Sequence, residues 1–309
     1  MAVSLAVDVA GVVLKNPILT ASGCFGYGEE GDEFFDLSSL GGIVTKSITP
    51  LPRTGHPPPK VAETASGMLN AIGLTNVGID EFISDKLPFL RTCGCAVVVN
   101  IAGTTLNDYK TLAERLSEVE GVDAIEVNIS CPNVSAGGLE FGSCPEGASS
   151  VTSAVKKASR VPIFPKLSPN VTDIVPIAKA VEDAGADAVS LINTLVGTAI
   201  NKETREFRLS NRFGGLSGPA IKPVALAMVY KVASAVKIPV IGIGGIACGS
   251  DVIEFLLAGA TAVQIGTACF AEPNVFVRVI DELTHYLERH GYASVTEIIG
   301  VVRDGSGEV

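Results

Sequence analysis

Tryptophan is absent from this 309-residue chain, and histidine and methionine occur only three times each. The histidines are His56, His285 and His290, and the last two fall in one C-terminal helical pattern, which leaves little for a histidine-based triad or a histidine-held metal. No apolar run reaches the roughly 20 residues that a membrane span needs. The N-terminus lacks a basic segment and cleavage pattern, so a cytoplasmic protein with no membrane partner is expected. Basic residues are outnumbered, 23 against 33 acidic, and the net charge of -10 argues against nucleic acid, whose phosphates require a basic face.

Cysteine is present but carries no framework. Its seven positions, 24, 93, 95, 131, 144, 248 and 269, are odd in number and irregularly spaced. Cys93-Gly94-Cys95 is the one close pair, and neither C-x2-C nor C-x4-C-x2-C spacing occurs, so no metal is expected on this chain. Hydrophobic residues make up 47% of the sequence, the composition of a tightly packed α/β enzyme rather than a disordered chain. Without a linker or a break in composition, residues 1–309 are expected to form a single domain.

Short apolar runs rich in Val, Ile and Ala recur at 18–21, 42–45, 96–101, 124–129, 162–167, 188–192, 239–243 and 262–265. Several are continuously apolar, as strands covered on both faces by helices should be. Helical periodicity separates them, over 173–184 before Gly185, 222–236, 252–258 behind a cap at Ser250 or Asp251 and ahead of Gly259, and about 274–289 with Phe276, Ile280, Leu283 and Leu287 on one face. The alternation predicts a closed (β/α)8 TIM barrel, with a doubly wound open sheet as the alternative. Residues 3–14, with Ala10-Gly11, predict an N-terminal hairpin over one end of it. The long intervals 47–95 and 193–238 are where inserted hairpins or lids are expected.

A barrel's active site lies at the C-terminal ends of its strands, and here those ends are small or polar. They read Ala21-Ser22-Gly23, Thr45-Lys46-Ser47, Asn100, Asn128, Lys166, Asn193-Thr194, Gly244-Gly245 and Gly266-Thr267. Lysine is almost never buried without a partner, so Lys46 and Lys166 at one mouth imply a site; the plainer alternative for Lys166 is a pair with a neighbouring barrel carboxylate. Bare glycines after strands seven and eight suit a phosphate-bearing cofactor, and they do not spell the G-x-G-x-x-G of a dinucleotide fold. The stretch Asn128-Ile129-Ser130-Cys131-Pro132-Asn133 ends a strand and opens a Gly-rich loop. A cysteine between asparagines there is a candidate catalytic residue, against the alternative of a tight loop whose asparagines satisfy its own backbone.

These residues carry a resemblance. Thr20-Ala21-Ser22-Gly23, Thr45-Lys46-Ser47, Asn70-Ala71-Ile72-Gly73-Leu74, Asn128 to Asn133, Lys166-Leu167-Ser168-Pro169, Ile192-Asn193-Thr194, Gly215-Leu216-Ser217-Gly218 and the two glycine pairs run in that order from about 14 to about 271. The chain resembles the FMN-binding catalytic subunit of class 1 dihydroorotate dehydrogenases. Asn70-Ala71-Ile72-Gly73-Leu74 and the Gly137-Gly138 to Phe141-Gly142 pattern point more narrowly to the NAD-linked class 1B.

The resemblance implies a (β/α)8 barrel that oxidises dihydroorotate to orotate in pyrimidine biosynthesis, the C5 proton going to Cys131 and the C6 hydride to FMN. It implies FMN contacts at Ala21, Ser22, Lys46, Ser47, Asn100, Asn128, Lys166, Ile192, Gly218, Gly244, Gly245, Gly266 and Thr267. Substrate contacts are implied at Lys46, Asn70, Ala71, Ile72, Gly73, Leu74, Asn128, Asn133, Asn193 and Thr194. Lys166 would meet the flavin's pyrimidine edge. Class 1B further implies a homodimer core within a heterotetramer, with FAD and a [2Fe-2S] cluster on an electron-transfer subunit that serves NAD+. Remaining alternatives are a fumarate-linked class 1A enzyme, a dihydropyrimidine dehydrogenase-like FMN enzyme and a flavin-binding regulatory barrel. Cys24 is expected to be a small core filler, Cys144 incidental and His56 a loop residue.

Overall fold

The computed structural model describes residues 3–130 and 141–303. Among these, eight parallel strands close into a barrel in chain order: Ile18–Thr20, Gly42–Val44, Ala96–Ile101, Ala124–Asn128, Ile163–Leu167, Val189–Leu191, Val240–Ile243 and Ala262–Ile265. Each expected strand is present, two with the expected bounds and six trimmed by one residue at one or both ends. The open doubly wound sheet is excluded because the last strand pairs with the first, Val263 opposite Ile18 and Ile265 opposite Thr20.

Continuous β-branched runs such as Val97 to Val99 are buried throughout, which is what a parallel strand between barrel interior and helical shell requires. The seam between strands one and two is thinner, with one ladder pair, Leu19 opposite Gly42. There the Thr20 hydroxyl supplements the ladder, accepting from Val44 N at 2.9 Å and donating to Val44 O at 3.3 Å. Gly42 is held tightly on both sides, since a Cβ on it would stand 3.0 Å from Leu19 Cδ2 on strand one and 2.8 Å from the Ala96 carbonyl on strand three.

The helical shell is set by amphipathic spacing. Leu106–Ser117 buries Tyr109, Leu112, Ala113 and Leu116 and starts from a capping box in which Thr105 and Asp108 exchange hydrogen bonds. Val275–His290 buries Phe276, Val279, Leu283 and Leu287; Ile280 is only half-buried, with Val279 taking the place expected for it. It stops at Gly291, whose φ of 75° a side chain would resist. The helix expected to be capped by Ser250 or Asp251 instead starts from Cys248 and spans Gly249–Leu257. Asp251 accepts from Ala247 N and Cys248 N at 2.8 and 3.1 Å, so its carboxylate serves the turn from inside it. The helix over 222–236 is shorter than expected, Lys222–Ala233.

Val7–Val9 and Val12–Leu14 form the N-terminal hairpin. It lies at the strands' N-terminal end, where Val12, Val13, Gly41, Ala96, Asp123 and Pro162 border one recess. The two long intervals do more than supply separate hairpins. Val61–Thr64 and Gly67–Asn70 from the first join Leu195–Thr198 and Phe213–Ser217 from the second in one four-stranded antiparallel sheet. This sheet has its own small core of Ala62, Leu69, Ala71 and Leu209. Among the described residues, no helix is long and apolar enough to cross a membrane.

Candidate active site

Two neighbourhoods meet at the mouth. The first is a chain of glycine contacts running between strand ends. Ile192 lies beside Gly244, whose added Cβ would be 3.5 Å from the isoleucine Cγ1. Gly245 approaches the Gly218 carbonyl, and Gly218 in turn neighbours Thr267. Thr267 donates from its hydroxyl to Ser217 Oγ at 2.8 Å. A Cβ on Gly266 would crowd Ala21 Cβ at 3.2 Å and Cys24 Sγ at 3.1 Å. With φ at 96°, 133° and 73°, Gly218, Gly244 and Gly245 hold conformations that side chains resist.

Among the described residues, the backbone N–H groups of Gly244, Gly245, Gly266 and Thr267 have no hydrogen-bond partner. Free N–H groups at the ends of two adjacent strands suit the phosphate of a mononucleotide, so the donor set fits FMN at this edge.

The second neighbourhood is polar. Asn128, the last residue of strand four, accepts at Oδ1 from Asn193 Nδ2 at 3.4 Å and from Ser130 N at 3.2 Å. Its carbonyl is held by the Tyr109 hydroxyl at 2.7 Å. Thr194 N donates to Asn193 Oδ1 at 2.8 Å, which fixes that amide. Asn70 pairs with Gly215 in the inserted sheet and donates to its carbonyl at 3.3 Å. From Asn70 the chain passes through Ala71, Ile72, Gly73 and Leu74, the last two with φ of 74° and 57°. His56 braces this segment, its Nδ1 lying 3.2 Å from Ala71 O and its N–H donating to Ile72 O at 3.1 Å.

Two lysines behave oppositely. Lys46 is half-buried, and among the described residues its ammonium has no ion-pair or hydrogen-bond partner. Burial holds its pKa below the usual lysine value, with Glu30 pulling the other way. Lys166 is buried and paired, its Nζ 3.2 Å from Glu126 Oε1 and 3.4 Å from Gln264 Oε1. The carboxylate partner weighed as an alternative for Lys166 is therefore present. Asn100 bridges Glu126 to Ser47, which donates to Asn100 Oδ1 at 2.5 Å.

The dihydroorotate dehydrogenase family profile matches residues 4–287. The catalytic subunit of dihydroorotate dehydrogenase B (NAD(+)) from Geobacter sulfurreducens is 56% identical over 298 residues, covering 96% of this chain and 98% of its own. Its namesake from Thermoanaerobacter sp. is 52% identical over 300 residues, covering 97% and 99%. The chain belongs to the dihydroorotate dehydrogenase family.

Membership gives the mouth a frame in which to place the residues expected from sequence. Ala21, Ile192, Gly218, Gly244, Gly245, Gly266 and Thr267 are contiguous; Ser47, Asn100 and Lys166 are joined through Glu126; Asn128, Asn193 and Thr194 form a third run. Ser22 is half-buried beside Ala21, and no polar contact among the described residues ties it to the others. Cys131, Asn133, Gly137 and Gly138 lie outside the described residues. Glu126, Ser190 and Gln264 join these residues without having been expected from the sequence. The available signal was alternation, because Glu126 is two residues before Asn128 on one strand and so shares its face.

Cys24 is half-buried, and burial pushes its thiol up to about 11. Cys144 occupies the N-cap position of the helix Pro145–Ala158.

Proposed function

We propose that this chain oxidises dihydroorotate to orotate with bound FMN, as the catalytic subunit of an NAD+-linked class 1B assembly. What supports the reading is the set of strand ends: among the described residues Lys46 has no ion-pair or hydrogen-bond partner, Asn128, Asn193 and Thr194 form one run, and the N–H groups of Gly244, Gly245, Gly266 and Thr267 are free, in a chain similar over nearly its full length to proteins named for this activity.

Bound FMN supplies a hydride acceptor and an electron carrier. The N–H groups of Gly244, Gly245, Gly266 and Thr267 hold its phosphate, Ala21, Ser22, Ile192 and Gly218 border it, and Lys46, Ser47, Asn100, Asn128 and Lys166 meet its polar edges. Substrate lies between Lys46 and the asparagines. The ammonium takes the carboxylate, and the amides of Asn70, Asn128 and Asn193 offer donors and acceptors to the ring N–H and C=O groups. The Asn193–Asn128 bond supports this, since each amide constrains the other's orientation. The segment from Ala71 to Leu74, Thr194 and Asn133 complete the pocket. Cys131 takes the C5 proton; a thiolate is a competent base, and a neighbouring cation raises its population.

Electrons then leave through a separate subunit that carries FAD and a [2Fe-2S] cluster, two copies of which flank a dimer of this chain. Purification from the native source tests the assembly. An iron–sulfur flavoprotein that co-purifies and confers NAD+ reduction is expected; a lone yellow protein that reduces fumarate would move the chain to class 1A. Faster flavin reoxidation by uracil than by orotate would make it a pyrimidine reductase.

A further inference from the structure

Glu126 is fully buried inside the barrel and takes four hydrogen bonds from four other strands. Oε1 accepts from Asn100 Nδ2 at 2.7 Å and from Lys166 Nζ at 3.2 Å; Oε2 accepts from Gln264 Nε2 at 2.6 Å and from Ser190 Oγ at 2.9 Å. A carboxylate that only accepts dictates how its neighbours face. Asn100 and Gln264 must both present their amide nitrogens to it, which turns their carbonyl oxygens to Ser47 Oγ and to Lys166 Nζ. One charge thereby sets two amide orientations and holds the lysine.

The pair has an electrostatic consequence. An isolated ammonium beside the flavin would stabilise the anionic reduced form strongly, in an interior where fields are weakly screened. Glu126 offsets that charge at 3.2 Å, so a flavin beside Lys166 would meet a dipole instead of a full cation. We propose that Glu126 is a positioning residue that lowers the reduction potential of the bound flavin through Lys166, keeping it able to pass electrons to a low-potential acceptor. This rests on the reading that Lys166 meets the flavin.

The test is the midpoint potential of the bound flavin in flavin-loaded wild type, Glu126→Gln, Glu126→Asp and Lys166→Met, with flavin content measured alongside. Glu126→Gln keeps the shape and removes the charge, and is expected to favour the reduced flavin at least tenfold, a rise of about 30 mV for a two-electron couple. Glu126→Asp keeps the charge but withdraws it from Lys166, and is expected to shift the potential less and in the same direction; it serves where the glutamine variant, with its unpaired buried lysine, does not fold. Lys166→Met is expected to lower the potential. Wild-type or lower potentials in every Glu126 variant that folds, with Lys166→Met shifted, would overturn the proposal and leave the lysine reading intact. An unshifted Lys166→Met would overturn the lysine reading itself.

Discussion

Gly215 stands so close to Thr194 that a single added methyl group would collide with the threonine hydroxyl. Gly215 belongs to the inserted sheet and Thr194 follows barrel strand six, so this contact is where the sheet seats against the mouth. Gly215→Ala is therefore expected to displace Thr194 and weaken orotate binding about tenfold, or roughly 1.4 kcal/mol, while FMN is retained. Spectral titration of the bound flavin with orotate measures this directly.

The barrel was legible because strands buried on both faces leave short apolar runs, and these recur eight times between helical patterns. The inserted sheet was not. It pairs Gly67–Asn70 with Phe213–Ser217, and the sequence Phe213-Gly214-Gly215 has little strand propensity of its own, so the ladder is imposed by tertiary contact. At the site, Lys46 and the asparagines showed themselves by lying at strand ends. Glu126 and Gln264 stayed hidden because they are enclosed by apolar neighbours within strands, where only the two-residue alternation distinguishes inward from outward.

Cys131→Ser tests the base. The hydroxyl is a far weaker base than the thiol, so turnover with dihydroorotate at neutral pH is expected to fall by about 10²–10⁴, with flavin content and orotate affinity within about twofold of wild type. Stopped-flow measurement of flavin reduction separates this chemical step from later electron transfer.

Lys46 gives a pH dependence. Burial depresses its pKa in the ligand-free protein, so the cation is lost at lower pH than for a free lysine. Orotate affinity is thus expected to be full below that depressed pKa and to decline as pH rises through it. In Lys46→Met the affinity is expected to be lower by about tenfold or more and to lose this part of the decline, as isothermal calorimetry across pH 6–10 would show.

Thiol reactivity should be selective. Burial pushes Cys24 and Cys93 up to about 11 and Cys95 and Cys269 up to about 12, leaving almost no thiolate near neutrality. Brief iodoacetamide treatment at about pH 7.5, read by peptide mass spectrometry, is expected to label Cys131 ahead of these four and to be slowed by orotate.

Everything proposed for the mouth requires that the barrel take a hydride from dihydroorotate onto its own flavin. Anaerobic addition of dihydroorotate to the flavin-loaded chain, without any partner, tests it most directly. The yellow flavin band is expected to bleach with stoichiometric appearance of orotate. A flavin that stays oxidised, yet is bleached by dithionite, would contradict it.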